Sequence, residues 1–277
     1  MLPIFSRFSI NGIIFSVWHT SPAFEIIVFG SGRGSEEISQ IFKTLLSKYI
    51  LYIKQDFTIF VQRYIVIMES VEKIVAKQLL DVKAVKLNVE NPFTWASGWK
   101  SPIYCDNRKI LSYPAARKVV YQSFAEIIGK YFKDVDVIAG VATGAIAYGM
   151  MVAEVLGKPF VYVRPKPKDH GTGSQIEGDL PKNSRVVVVE DLISTGGSSL
   201  AAVDCLQKSG AIVLGMVAIF SYNFIKARRA FENANVELHT LSHYEALLEQ
   251  AVEENYIKPE DLDVLKQWRI NPETWGK

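Results

Sequence analysis

The stretch from Arg185 to Leu200, RVVVVEDLISTGGSSL, constrains the chain more than any other. Four consecutive valines offer no polar face to water, so they read as a strand buried on both sides, the habit of parallel sheets covered by helices. The carboxyl end of such a strand is where open α/β sheets receive ligands. Glu190 and Asp191 follow the valines, and two adjacent carboxylates leaving a buried strand are costly unless they meet water, a metal or hydroxyl groups. Next come Leu192, Ile193, the hydroxyl residues Ser194 and Thr195, and then Gly196 and Gly197, which let backbone approach a ligand closely. Ser198 and Ser199 open a helix, and the free N–H groups of a helix start favour phosphate. Carboxylates beside a phosphate nest suit a ligand with vicinal hydroxyls and a terminal phosphate, the layout of ribose 5-phosphate. The alternative, a capped strand-to-helix turn without a ligand, accounts for Ser198 but not for the paired acids.

The surrounding pattern alternates strand and helix. Apolar Val71, Ile74, Val75, Leu79 and Leu80 recur at helical spacing from Glu69 onward, followed by a turn-rich segment from Asn91 to Arg108. Helices are expected at Pro114 to Tyr131, Ala145 to Leu156 and Ser198 to Lys208. Strands are expected at Val135 to Val141, Phe160 to Arg164, Arg185 to Val189 and Ala211 to Phe220. A polar stretch runs from Pro165 to Leu180, and Leu247, Leu248, Val252, Leu262 and Leu265 mark two short C-terminal helices. Such alternation implies right-handed βαβ units and a doubly wound, mostly parallel α/β sheet.

Residues 1–67 read differently, with aromatic and β-branched residues in no sustained period and a GSGRG patch at Gly30 to Gly34 that reads as a turn, since it lacks the Lys-Ser/Thr of a phosphate loop. Two domains are therefore expected, an extension of doubtful structure over 1–67 and a well-patterned domain over 68–277. Met68 is the expected native start, with the preceding residues upstream sequence or a poorly packed extension. The first 67 residues hold six Lys/Arg and four Asp/Glu, which leaves the remainder formally neutral at 25 of each sign. A neutral body argues against a nucleic-acid partner, which calls for a basic excess to displace counterions. The uncharged run Val137 to Ala153 contains Gly140, Gly144 and Gly149 and breaks into strand, loop and helix rather than a membrane span. No small-residue cleavage site follows the short apolar stretch Ile10 to Trp18, so no secretory signal is expected. Cys105 and Cys205 lack metal-site spacing and suit a reducing compartment.

The Arg185 to Leu200 segment resembles the PRPP-binding motif of type I phosphoribosyltransferases, and two more segments, FTWASGWKSPIYCDNR at Phe93 to Arg108 and RPKPKDHGTG at Arg164 to Gly173, are similar to orotate phosphoribosyltransferase. The resemblance covers residues 68–277. It implies the type I fold with a small hood from the N- and C-terminal segments, and transfer of ribose 5-phosphate from PRPP to orotate. It further implies Mg²⁺ bound mainly through PRPP with no dedicated protein site, and a cytoplasmic homodimer whose catalytic loop acts in trans. Arg164, Lys168 and His170 are then the cations that stabilise departing pyrophosphate. Residues 190–198 hold PRPP, Ser194 also touches orotate, and Lys100 lies on the pyrophosphate or orotate side. GVATG at Gly140 to Gly144 is the pyrophosphate-side loop or a plain tight turn. Ala96, Gly144 and Pro165 stand where some members carry lysine, and Asn223 stands near an arginine that binds the orotate carboxylate in those members, so the partner of that carboxylate stays open. The alternatives are transfer to another base, or a PRPP-sensing regulator without catalysis.

Overall fold

The computed structural model describes residues 4–10, 13–20, 23–29, 70–95, 97–167 and 174–276. Its backbone divides into Met1–Met68 and Glu69–Lys277. In the first unit β1 (Ile4–Ile10), β2 (Ile13–Thr20) and β3 (Ala23–Phe29) form an antiparallel sheet in that order. No regular element was expected there. The Ile, Val, Phe and Trp that blurred any period are themselves strand formers. The GSGRG patch and the apolar stretch from Tyr49 to Ile67 lie outside the described residues.

The second unit starts with α1 (Val71–Asp81), whose Ser70 side chain accepts from the Lys73 N–H, the usual helix start. Two small antiparallel pairs follow, β4 (Val85–Leu87) with β7 (Ile103–Cys105) and β5 (Phe93–Thr94) with β6 (Lys100–Ser101). Pro114, pre-set for a first helical turn, opens α2 (Pro114–Tyr131). Then come β8 (Val137–Val141), α3 (Ile146–Leu156), β9 (Phe160–Val163), β10 (Ile176–Glu177), β11 (Arg185–Ile193), α4 (Gly197–Lys208) and β12 (Ile212–Ser221). The chain closes with α5 (Ile225–Asn233), β13 (Leu238–His243), α6 (Tyr244–Glu253) and α7 (Leu262–Ile270).

The central sheet has the order β10-β9-β8-β11-β12-β13 and is parallel except for β10. Strand alternation divides the four valines between two cores. Val187 and Val189 join Ile138, Val217 and Ile219 beneath α1, α2, α3 and α6, while Val186 and Val188 join Val137, Ala139, Met216 and Ala218 beneath α4 and α5. The sheet is thus covered on both faces, as the valine run requires. The chain leaves β8 toward β9 on one side and returns to place β11 on the other, so the order reverses between β8 and β11 and opens a crevice outside their carboxyl ends.

The N- and C-terminal segments of this unit form a hood held by aromatic rings. Trp268 of α7 is fully buried, meets Trp95 edge-on at 5.6 Å and donates from its indole N–H to the Lys100 carbonyl at 3.1 Å. Tyr222 and Phe224, just past β12, complete the cluster.

Candidate active site

Three loops meet at the crevice because β8 and β9 end level with each other and β11 runs on past them. Val141 of β8 is level with Val163 of β9, and Val189 of β11 is level with Gly140 of β8. A methyl placed on Gly144, in the loop after β8, would come within 2.2 Å of Asp191 Oδ2, so the Asp191 carboxylate lies directly over that glycine. The GVATG turn and the acid segment are therefore in direct contact at the crevice.

Strand β11 runs to Ile193, four residues beyond the expected end at Val189, so both acids sit within the strand and point to opposite sides. Glu190 is 5% exposed, and its carboxylate accepts from the Ser199 hydroxyl and from the Asp191 N–H, each at 2.9 Å. Burial, and then the charge of Asp191, push the Glu190 carboxyl up to about 8. Asp191 is half-buried and open to the crevice. The two acids are therefore different groups, one enclosed and one presented.

The loop after β11 turns at Gly196, whose φ of 84° lies in the left-handed region and whose missing side chain leaves room for Phe231 of α5, 2.9 Å from where a methyl would stand. No side chain caps the start of α4. Ser199 is committed to Glu190, so the first-turn N–H groups face the crevice with the positive end of the helix dipole. Gly196 stands at the N-cap and has no side chain to offer, while Ser199 in the first turn holds the acid.

Arg164 follows β9 directly. Its main chain pairs with Gln175, its carbonyl accepts from the Gln175 amide at 2.8 Å, and its guanidinium lies 3.5 Å from Glu177. Both ends of the polar segment are therefore fixed on the β9-β10 pair, with Arg164 at the crevice edge. Lys168 and His170 lie outside the described residues, as does Ala96. Lys100 donates to the Thr94 hydroxyl at 2.9 Å, within the β5-β6 pair, and has no contact with the acid loop among the described residues. Ser194 and Thr195 are half-buried, and Thr195 lines a cavity of about 260 Å³ with Trp99, Phe224, Lys226 and Arg269. Asn223 gives its amide to Glu245 at 3.1 Å and its carbonyl to Arg269 at 3.2 Å. A larger groove of about 720 Å³ between α5 and β13 contains no residue of the acid loop, so chemistry and size part company here.

One set of residues carried no signal in the local pattern. Asn107, 1% exposed, reaches across from the segment after β7 to donate to the Asp191 carbonyl at 2.5 Å, and its own carbonyl accepts from the Tyr148 hydroxyl at 2.9 Å. Beside it Arg108 is clamped to Asp106 through Nε at 2.7 Å and Nη2 at 3.0 Å, which lowers the Asp106 carboxyl below its usual range. Cys105 and Cys205 behave as packing residues, since burial raises both thiols, that of Cys105 strongly. His243, placed at a helix end, accepts from the Ala246 N–H at the start of α6.

A phosphoribosyl transferase domain model matches residues 106–236. The chain is 54% identical over 209 residues to an orotate phosphoribosyltransferase of Porphyromonas gingivalis, covering 76% of this chain and 100% of that relative. It is 53% identical over 208 residues to an orotate phosphoribosyltransferase of Listeria innocua, covering 75% and 100%. The crystal structure of orotate phosphoribosyltransferase from Aeropyrum pernix superposes with a TM-score of 0.58 at 32% identity, over 66% of this chain and 99% of that one. The mainly parallel sheet, its flanking helices and the hood are those of the type I fold. With more than half of its residues identical over the whole length of these relatives, and with the same fold, the chain belongs to the orotate phosphoribosyltransferase family.

Proposed function

We propose that the crevice binds PRPP with its ribose hydroxyls at Asp191, which the enclosed Glu190 holds from behind, its 5-phosphate on the N–H groups of the Ser194 to Ser198 loop, and its pyrophosphate toward Gly140 to Gly144 and the Arg164 loop of a second copy. The chain is a pentosyltransferase that joins orotate to ribose 5-phosphate, giving orotidine 5′-phosphate and pyrophosphate. One observation carries the placement: the presented carboxylate of Asp191 and the uncapped start of α4 stand side by side at the point where the strand order reverses. A base nitrogen of orotate forms the new bond to the anomeric carbon as the bond to pyrophosphate oxygen breaks. Negative charge grows on the departing oxygens, and Arg164, Lys168 and His170 are the cations assigned to it. Orotate enters beneath the hood beside Ser194, with Lys100 a second candidate on that side.

Mg²⁺ is the proposed cofactor. Hard oxygen donors suit it, and Asp191 with the Ser194 and Thr195 hydroxyls supplies such donors at the crevice, while no cluster of three His, Cys, Asp or Glu side chains occurs among the described residues. Asp191 and these hydroxyls would help to hold the ion, bound mainly through PRPP, and it would supply charge neutralisation for the departing pyrophosphate. The active form is proposed to be a homodimer in which the Arg164 to Gly173 loop serves the partner's crevice. Met150 and Val155 of α3, 47% and 51% exposed, support an apolar contact on the β9 side of the sheet. None of the described helices is long and apolar enough to cross a membrane, and a cytoplasmic site of action is proposed. Residues 68–277 are proposed to carry the activity, with Met68 the native start.

Loss of orotate absorbance with PRPP and Mg²⁺, followed for the full chain and for residues 68–277, tests this reading. Turnover by both, abolished by joint Lys168→Ala and His170→Ala substitution, is expected. Turnover of other bases but not orotate would reassign the substrate, PRPP binding without turnover would favour a regulator, and full activity from a monomer on a sizing column would remove the trans loop.

A further inference from the structure

We infer that Asn107 is a positioning residue for the transfer reaction, holding the Asp191 main chain where β11 runs past the end of its neighbour and so aiming the Asp191 carboxylate into the crevice. The inference rests on the assignment of Asp191 to the ribose hydroxyls.

The sheet by itself does not hold this residue. On one side the pairing of β11 with β8 ends at Val189, because β8 turns into its loop after Val141. On the other, the register with β12 includes Glu190 and Leu192 but passes over Asp191. Side chains take over both peptide groups: the Glu190 carboxylate accepts the Asp191 N–H at 2.9 Å, and the Asn107 amide donates to the Asp191 carbonyl at 2.5 Å. A buried carbonyl left without a donor is costly, so the amide stands in for a missing strand.

Asn107 is itself fixed on every polar atom that could turn it. Its side-chain oxygen accepts from the Cys105 thiol at 3.2 Å, its carbonyl accepts from the Tyr148 hydroxyl, and the thiol and the phenol are both pushed up by burial, so each stays a donor. The thiol on the oxygen side fixes which end of the amide faces Asp191. The chain thereby ties the hood-side strand β7, helix α3 and the acid strand into one rigid junction directly behind the carboxylate.

The test is steady-state kinetics of the full chain for Asn107→Leu, which keeps the branched shape in a bulkier side chain and removes the donor, with Asp191→Asn as the reference. A displaced carboxylate should raise KM for PRPP by about tenfold or more while KM for orotate moves less than about twofold. Asn107→Asp supplies a second readout independent of folding yield in the leucine variant. A carboxyl there can donate to the Asp191 carbonyl only while protonated, so activity should fall with rising pH at a lower pH than any loss in the parent, whose enclosed Glu190 is held up to about 8. Unchanged KM for PRPP in Asn107→Leu, set against a raised KM in Asp191→Asn, would overturn the inference and leave the site assignment standing, as would a parent-like pH profile in Asn107→Asp. Parallel losses in kcat and both KM values would also overturn it, since they mark a merely structural role. If Asp191→Asn itself leaves KM for PRPP unchanged, the site assignment fails first and this inference with it.

Discussion

Replacing Glu190 with Gln should make the protein progressively more stable relative to the parent as pH rises. Glu190 is enclosed, and its carboxyl is raised from an ordinary value of 4.5 to about 8, mainly by burial and then by the charge of Asp191. Between those values the folded chain keeps a proton that the unfolded chain has released. The stability this group contributes is therefore fully present below pH 4.5 and is lost as pH rises through about 8. Each tenfold change in proton affinity is worth about 1.4 kcal/mol, so the rise from 4.5 to about 8 sets a ceiling of about 5 kcal/mol. The shift is shared with Asp191, so the expected difference lies below this ceiling, on the order of a few kcal/mol. Glutamine keeps the shape, can still accept from the Asp191 N–H, and does not titrate. Urea melts of parent and Glu190→Gln at pH 5, 6.5 and 8.5 measure the difference directly, because every other titrating group is common to both proteins. Stability curves that run parallel across this range would refute the reasoning and place an ionised carboxylate in the fold at neutral pH.

Ser199→Ala removes a hydrogen bond that favours ionised Glu190, so the pH midpoint of the parent's stability loss should move upward; an unmoved midpoint would mean the hydroxyl contributes nothing to the acid. Gly196→Ala forces a side chain into a left-handed position against Phe231 and should cost about 1–2 kcal/mol in a denaturant melt, together with a raised KM for PRPP. Trp268→Ala empties the centre of the hood and frees the Lys100 carbonyl, for an expected loss of about 3–5 kcal/mol. A loss below about 1 kcal/mol would show that the hood repacks around the vacancy.

Much of this was legible in the chain because it rests on period and punctuation. The valine run, the Pro114 helix and the glycine-broken segment from Val137 each fall where spacing and turn chemistry place them, with α2 matching its expected bounds. The pair α5 and β13 was not legible. Only Ala227 and Phe231 of α5 are buried, and β13, LHTLSH, offers polar side chains at interior positions; Ser242 is buried because it donates to the Glu72 carbonyl. At the crevice the residue types announced an acid pair beside a phosphate nest, but not their division of labour. Which acid is enclosed depends on Ser199, in the first turn of the following helix, and on Asn107, far away along the chain. Such long-range partners leave no trace in a local pattern.

Strand β11 has no idle face, because its valines serve the two cores in alternation and its last residues carry the acids. A change of volume on either side of the sheet therefore acts on the same strand, whose C-terminal part carries the Asp191 carboxylate. Substitutions under α2 or α3 and substitutions under α4 or α5, which share no contact, should consequently be correlated through catalysis even where they add independently in stability.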